Sequence, residues 1–261
     1  MNSVWLKYLK YLLFSRHRNG HGIHSPFIFS LVSEVFRNKI DPAVVLKIES
    51  IRKMNLSGSR VISATDLGAG SAKMKNSLRK VSDIVKYSSV PLKYGKLLYR
   101  LAERFGSRDI IELGTSAGIS TMYLAAANPG TIVHSIEGCP ATAGMARENF
   151  NRAGISNIDL LTGSFDDLLP GLTDGRISPG LVFIDGNHRK EPTIRYFNTL
   201  ADISAGSTVV IIDDIHSGDE MEEAWSVIKD HNRVSVTVDI FRMGLVFFRE
   251  GISRQHYIIR Y

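Results

Sequence analysis

Between residues 109 and 249 short apolar runs alternate with stretches of helical period. The apolar runs lie at Ile110-Ile111, Ile132–Ile136, Ile158–Leu161, Leu181–Ile184, Ser207–Asp213, Val234–Phe241 and Leu245–Arg249. Between them, residues 119–127, Ala141–Ala153, Glu191–Ile203 and Glu220–Asp230 carry apolar side chains at helical spacing. Strands separated by helices of that length pair in parallel, because each crossover must return the chain to the same edge. Residues 234–241 and 245–249, split only by Arg242-Met-Gly244, read instead as a hairpin. Gln255–Tyr261 reads as an edge strand or a tail.

Upstream, the pattern turns helical. Residues 3–16 set Trp5, Leu6, Leu9, Leu12 and Leu13 at helical spacing with lysines between them. Phe27 to Phe36, Ala43 to Met54 and Lys93 to Arg104 read as further helices, the last reached through a loop at Tyr87–Pro91. The segment around Thr65-Asp66-Leu-Gly68-Ala-Gly70-Ser71, with the basic stretch Lys73–Lys80 after it, reads as a surface loop and helix start. Three histidines, His17, His21 and His24, fall in a turn-rich stretch better suited to capping, packing or substrate contact than to zinc.

The chemistry concentrates at residues 109–137. An apolar strand enters Glu112-Leu-Gly114-Thr115-Ser116-Ala-Gly118, a small-residue helix follows, and the next strand ends on Glu137-Gly138. Glycines let a ligand approach the backbone, a helix N-terminus offers free N–H groups, and an acid at the second strand tip can accept both hydroxyls of a ribose. The spacing is not the G-x-G-x-x-G of a pyrophosphate cradle, and Glu112 would repel a pyrophosphate while suiting a cationic amino group. A nicotinamide oxidoreductase is therefore disfavoured.

This stretch closely resembles motif I of the class I S-adenosylmethionine-dependent methyltransferases, in the form common among small-molecule O-methyltransferases. The His21-Gly-Ile-His24-Ser-Pro-Phe run resembles the start of a group of bacterial methyltransferase-like proteins. The resemblance implies an α/β fold: a doubly wound, seven-stranded, mostly parallel Rossmann-like sheet in the order 3-2-1-4-5-7-6, with an N-terminal helical extension. Residues 1–83 would form that extension on the substrate side, and residues 84–261 the S-adenosylmethionine-binding domain. By the same resemblance the cofactor contacts are Ser89 and Val90, Glu112, Gly114, Thr115, Ser116, Gly118, Glu137, Gly138, Ser164, Phe165 and Asp185. Ser164 also reads as a helix cap.

Two further strand tips carry acids, Asp185-Gly-Asn-His188 and Asp213-Asp214-Ile-His216. Carboxylates crowded there repel one another unless a cation stands between them, and oxygen donors suit Mg²⁺ or Mn²⁺. The tips resemble the metal site of metal-dependent O-methyltransferases, which implies Asp185, Asp213 and Asp214 as ligands. Where catechol-type enzymes have a lysine base this chain has His188, as in sugar and macrolide O-methyltransferases. Asp185 and His188 are thus the implied catalytic pair, with His188 taking the acceptor's proton. His216 is a secondary candidate.

Composition narrows the picture only a little. A net charge of +6 favours anionic partners without pointing to nucleic acid, and no Asn-Pro-Pro-Tyr or Asp-Pro-Pro-Tyr element serves a flipped base. The single cysteine, Cys139, fits a reducing compartment, and no apolar run nears the ~20 residues of a membrane span, so the cytoplasm is expected. Residues 3–16 would pack on the domain, on a second subunit in a homodimer, or on a membrane surface. The expected activity is metal-assisted methylation of a small-molecule or sugar-like hydroxyl. The alternative is a non-catalytic cofactor-fold protein acting as a partner-binding or membrane-surface module.

Overall fold

In the computed structural model, residues 4–15, 23–65 and 77–261 are described. The elements in chain order are α1 (Val4–Phe14), α2 (Pro26–Ser30, continued by one π-helical turn, Leu31–Val35), α3 (Pro42–Ser57), β1 (Val61–Ala64), β2 (Ser77–Lys80), α4 (Val81–Ser88) and α5 (Leu92–Phe105). Next come β3 (Ile110–Leu113), α6 (Ile119–Ala127), β4 (Val133–Glu137), α7 (Pro140–Ala153), β5 (Ile158–Thr162), α8 (Phe165–Leu172), β6 (Leu181–Ile184) and α9 (Lys190–Ile203). The chain finishes with β7 (Val209–Ile212), α10 (Asp219–Asp230), β8 (Val236–Asp239), β9 (Gly244–Phe247) and β10 (Gln255–Ile258).

The main sheet runs β5-β4-β3-β6-β7-β9-β8-β10, with β9 antiparallel to both its neighbours and all other pairs parallel. It holds eight strands rather than seven, because Gln255–Ile258 pairs in parallel with the exposed edge of β8. The central strands β3, β6, β7, β8 and β9 are buried at every position, which is why β6 and β7 are continuous apolar runs and β3 and β8 are apolar apart from the buried Glu112, Thr237 and Asp239. Alternate side chains then serve opposite faces. Ile110, Leu181, Phe183, Val209 and Ile211 join Leu97, Leu101 and Tyr123 on one side, while Ile111, Val182, Ile184 and Ile212 join Phe197, Leu200 and Trp225 on the other.

The N-terminal helices are part of this body. Ile28, Leu31 and Val32 and, from α3, Ile48 and Ile51 sit in the first core cluster, and the 83/84 boundary falls inside α4. Asp41 starts α3 by accepting the Ala43 N–H at 2.8 Å, with Pro42 at the first helical position. Residues 77–80 pair with β1 as an antiparallel strand, which corrects the expected helix start in that basic stretch. Tyr87 and Ser88 belong to α4, so the loop before α5 is shorter than Tyr87–Pro91. His17, His21 and the 66–71 glycine segment lie outside the described residues.

Helix α1 docks by one side only. Lys7 bridges Asp219 and Glu222 at 3.1 and 3.0 Å, and the buried Tyr11 hydroxyl donates to the Ile259 carbonyl at 2.7 Å. Trp5 (74%) and Leu13 (79%) remain exposed on its other side. Among the described residues no helix is long and apolar enough to cross a membrane.

Candidate active site

Hydrogen bonding continues past each strand end and lines up the tips. Gly114 N–H donates to Ile136 O, Asp185 N–H to Leu113 O, Asp213 N–H to Ile184 O and Gly163 N–H to Glu137 O, all between 2.8 and 3.0 Å. Glu137, Gly114, Asp185 and Asp213 therefore stand in one row across the carboxyl edge of the sheet. An open cavity of about 820 Å³ lies over this row, lined by residues of the β3, β4, β5, β6 and β7 tips and, on its outer side, by β1, β2 and α4.

One end is built around Glu137. Its carboxylate accepts the Ser116 N–H at 2.8 Å and the Cys139 N–H at 2.9 Å, which fixes both oxygens at the cavity wall. Ser116 reaches that contact at φ +48°. Gly114 is required where it stands: its φ is +105°, and a Cβ there would meet the Asp185 carbonyl oxygen at 2.0 Å. Gly138, Ser164 and Phe165 also line the cavity. Ser164 caps α8 as well, accepting the Asp167 N–H at 3.1 Å, and the Phe165 ring stands edge-on to Tyr196 at 5.5 Å.

Several expected contacts lie elsewhere. Glu112 is fully buried beneath the glycine loop, accepting from Thr121 at 2.5 Å and Ser135 at 2.6 Å, and is not part of the cavity wall. Burial pushes its carboxyl up from the ordinary range, against hydrogen bonds from Ser135, Thr121 and Ser120 that act the other way. The expected role for Glu112 as a cofactor-amine contact is thus corrected: it ties β3 to α6 and β4. Thr115 is likewise buried, its hydroxyl 2.5 Å from that of Ser135, and Gly118 packs under Phe150 instead of facing the cavity. The Ser89 hydroxyl is buried and has no hydrogen-bond partner among the described residues, Val90 is buried, and the cavity wall there is Tyr87 and Ser88.

At the other end Asp185, Asn187, His188, Asp214 and Arg242 line the cavity, while Asp213 is fully buried behind them. His188 Nε2 lies 3.6 Å from Asp185 Oδ1. Burial, then Asp213 and Asp214, raise the Asp185 carboxyl well above the usual range, with Arg242 acting against them. Arg242 sits at the β8–β9 turn and reaches back to the β7 tip. Its Nε is 3.0 Å from Asp213 Oδ1, one terminal nitrogen is 2.7 Å from Asp213 Oδ2, and the same nitrogen is 3.5 Å from Asp214 Oδ1.

That fork occupies one member of the expected metal triad of Asp185, Asp213 and Asp214. Both oxygens of Asp213 already accept from the Arg242 guanidinium, a charge-assisted bidentate pair. No group of His, Cys, Asp and Glu arranged to hold a metal ion occurs among the described residues. Arg242 is the functional candidate that sequence reasoning missed. His216 faces away toward Glu222 Oε1 (3.0 Å) and Asp239 Oδ2 (2.8 Å) and is not part of the cavity wall.

Residues 111–215 match a family model described as a methyltransferase domain. The chain is 35% identical over 131 residues to a catechol O-methyltransferase of Niastella koreensis and 33% identical over 132 residues to one of Mycobacterium tuberculosis. These alignments cover 49% and 50% of this chain and 58% of each relative, so the chain spans little more than half the length of either. Among solved structures it superposes on an O-methyltransferase from Bacillus cereus in complex with SAH with a TM-score of 0.59 at 22% identity, covering 85% of this chain and 97% of that one. A Streptomyces achromogenes O-methyltransferase involved in tomaymycin synthesis, in complex with SAM, gives 0.57 at 21% identity, with 85% and 95% covered. The fold is that of the Rossmann-like methyltransferases.

Proposed function

We propose that this chain is an S-adenosylmethionine-dependent methyltransferase acting on a hydroxyl of a small molecule or sugar-like metabolite. The observation that carries the reading is one cavity with Glu137 and its backbone-fixed carboxylate at one end and Asp185, His188 and Arg242 at the other. The matched methyltransferase-domain segment, residues 111–215, includes most of the strand tips lining it.

The cavity residues fit the cofactor. Glu137 would accept the ribose hydroxyls, Phe165 and Ser164 would meet the adenine, and the Gly114–Ser116 turn would admit the chain of the methionine moiety. When bound, S-adenosylmethionine supplies an electrophilic methyl group on its sulfonium and leaves as the neutral thioether once the acceptor oxygen has taken the methyl. His188 takes the proton of the acceptor hydroxyl, with its Nε2 3.6 Å from Asp185 Oδ1 at the same end of the cavity. Leu78, Lys80, Tyr87 and Ser88 of β2 and α4 line the outer side of the same cavity, which supports a substrate-side role for the N-terminal segment. A metal ion has no part in this scheme, because Arg242 already engages the buried acid.

Calorimetric titration with S-adenosylmethionine tests the reading. Wild-type protein should bind with a 1:1 heat, and Glu137→Ala should bind about 10- to 100-fold more weakly through loss of charge-assisted hydrogen bonds to the ribose. A wild-type protein that takes up no S-adenosylmethionine would leave the non-catalytic module as the working description.

A further inference from the structure

We infer that Arg242 is the resident cation of this site: its guanidinium holds the place among Asp185, Asp213 and Asp214 that a divalent ion would otherwise take, and orients the acceptor oxygen without metal. The inference rests on the methyltransferase reading for the word acceptor, but the exclusion of metal rests on geometry alone. Carboxylates at adjacent strand tips require a compensating charge, and Asp213, with no exposed surface, requires one that arrives already desolvated. A guanidinium meets that demand better than an ammonium, because its planar fork matches both carboxylate oxygens at once and sheds water more readily.

The backbone holds the fork in position from two sides. Ile212 pairs with Gly244, so the turn before β9 lies directly beside the Asp213-Asp214 tip, and Ile215 N–H donates to the Arg242 carbonyl at 3.2 Å. Two non-glycine residues take left-handed backbone to make this approach, Asp214 at φ +55° and Phe241 at φ +72°. For a bulky aromatic such a conformation is uncommon and persists only where surroundings impose it. Here the Phe241 N–H donates to Asp239 Oδ1 at 2.7 Å, and its ring is packed against Tyr8 at 4.9 Å and Tyr11 at 5.3 Å. Helix α1 thereby buttresses the turn that carries Arg242.

The side chain is not sealed away. It keeps 29% of its surface, lines the cavity beside His188, and has the Tyr94 ring 5.7 Å from its guanidinium carbon. Nε and one terminal nitrogen are engaged by the acids, and the other terminal nitrogen, which has no hydrogen bond to the described residues, is the one that would donate to an oxygen in the cavity. Arg242 is in this sense a positioning residue, acting on the acceptor through charge and direction.

The test is a Mn²⁺ titration followed by electron paramagnetic resonance, on wild type, Arg242→Met, Arg242→Lys and Arg242→Met/Asp185→Asn, with S-adenosylmethionine binding measured on the same preparations. Wild type should show no stoichiometric uptake up to millimolar Mn²⁺. Arg242→Met should gain a single site, at least about tenfold tighter than any wild-type uptake, and the added Asp185→Asn should remove it. Arg242→Lys, which keeps a charge there, should exclude the ion as wild type does. Micromolar, stoichiometric Mn²⁺ binding by the wild type would overturn the inference, as would a folded Arg242→Met that gains no site. Should Arg242→Met fail to fold, the wild-type and Arg242→Lys titrations decide. Loss of S-adenosylmethionine binding by the wild type would sink the methyltransferase reading and leave the Mn²⁺ result standing.

Discussion

Removing Arg242 should cost this fold more than any other single change at the cavity. In Arg242→Met the buried Asp213 carboxylate keeps its place but loses the fork at 2.7 and 3.0 Å, with Asp214 still its neighbour. A buried charge stripped of its partner costs about 3–5 kcal/mol, and for a chain of this size each kcal/mol moves the melting temperature about 2–4 °C, so a fall of roughly 6–20 °C is expected. Asp213→Asn should cost less, about 1–3 kcal/mol, because Arg242 keeps some solvent and Asp214 within 3.5 Å. The double variant removes the attraction and the orphan together, and should recover about 1–3 kcal/mol relative to the sum of the singles. Urea unfolding of the four proteins closes the cycle. Single-variant losses that simply add, or an Arg242→Met midpoint equal to wild type, would mean that the two groups are not coupled and that another cation serves Asp213.

Two further expectations follow from geometry away from that pair. Gly114→Ala forces a side chain into φ +105° and onto the Asp185 carbonyl, so it should cost at least about 1–3 kcal/mol of stability, read by urea unfolding, and weaken S-adenosylmethionine binding about tenfold or more, read by calorimetric titration; unchanged affinity would show that the β3 turn is not a cofactor contact. The His216 imidazole is desolvated, which lowers its pKa, but hydrogen bonds to Asp239 and Glu222 outweigh this and hold it above the ordinary histidine value. A raised folded pKa means stability present in full below the unfolded value near 6.5 and lost as pH rises through the folded one. Melting temperatures of wild type and His216→Asn should therefore converge between neutral and alkaline pH, and parallel curves would refute the charged pairing.

What the sequence made legible was whatever local periodicity encodes. The apolar runs at 181–184 and 209–212 are strands buried on both faces, and their hydrophobicity alone distinguishes them from the helices between. Glu137 and Asp185 could be found because each ends such a run, and the end of a parallel strand is where ligands gather. Glu112 misled for the same reason in reverse: one residue inside a strand tip, its side chain turns under the glycine loop toward Thr121 and Ser135, and spacing does not distinguish a carboxylate above the loop from one below. Residues 77–80 misled because a strand that pairs only with β1 carries no apolar run of its own.

Arg242 was hidden for a deeper reason. Nothing within its own turn marks it; its meaning comes from the antiparallel insertion of β9 beside β7, which brings residue 242 to residue 213 across the sheet. The three acids imply a demand for positive charge, and sequence reasoning assigns it to an ion because residue 242 lies far from them in the chain. The fold answers the same electrostatic requirement with a side chain, and it holds that side chain by strained backbone at Phe241 and by the aromatic face of α1. A helix at the N-terminus is thereby connected, through one turn, to the charge balance at the Asp185–His188 end of the cavity.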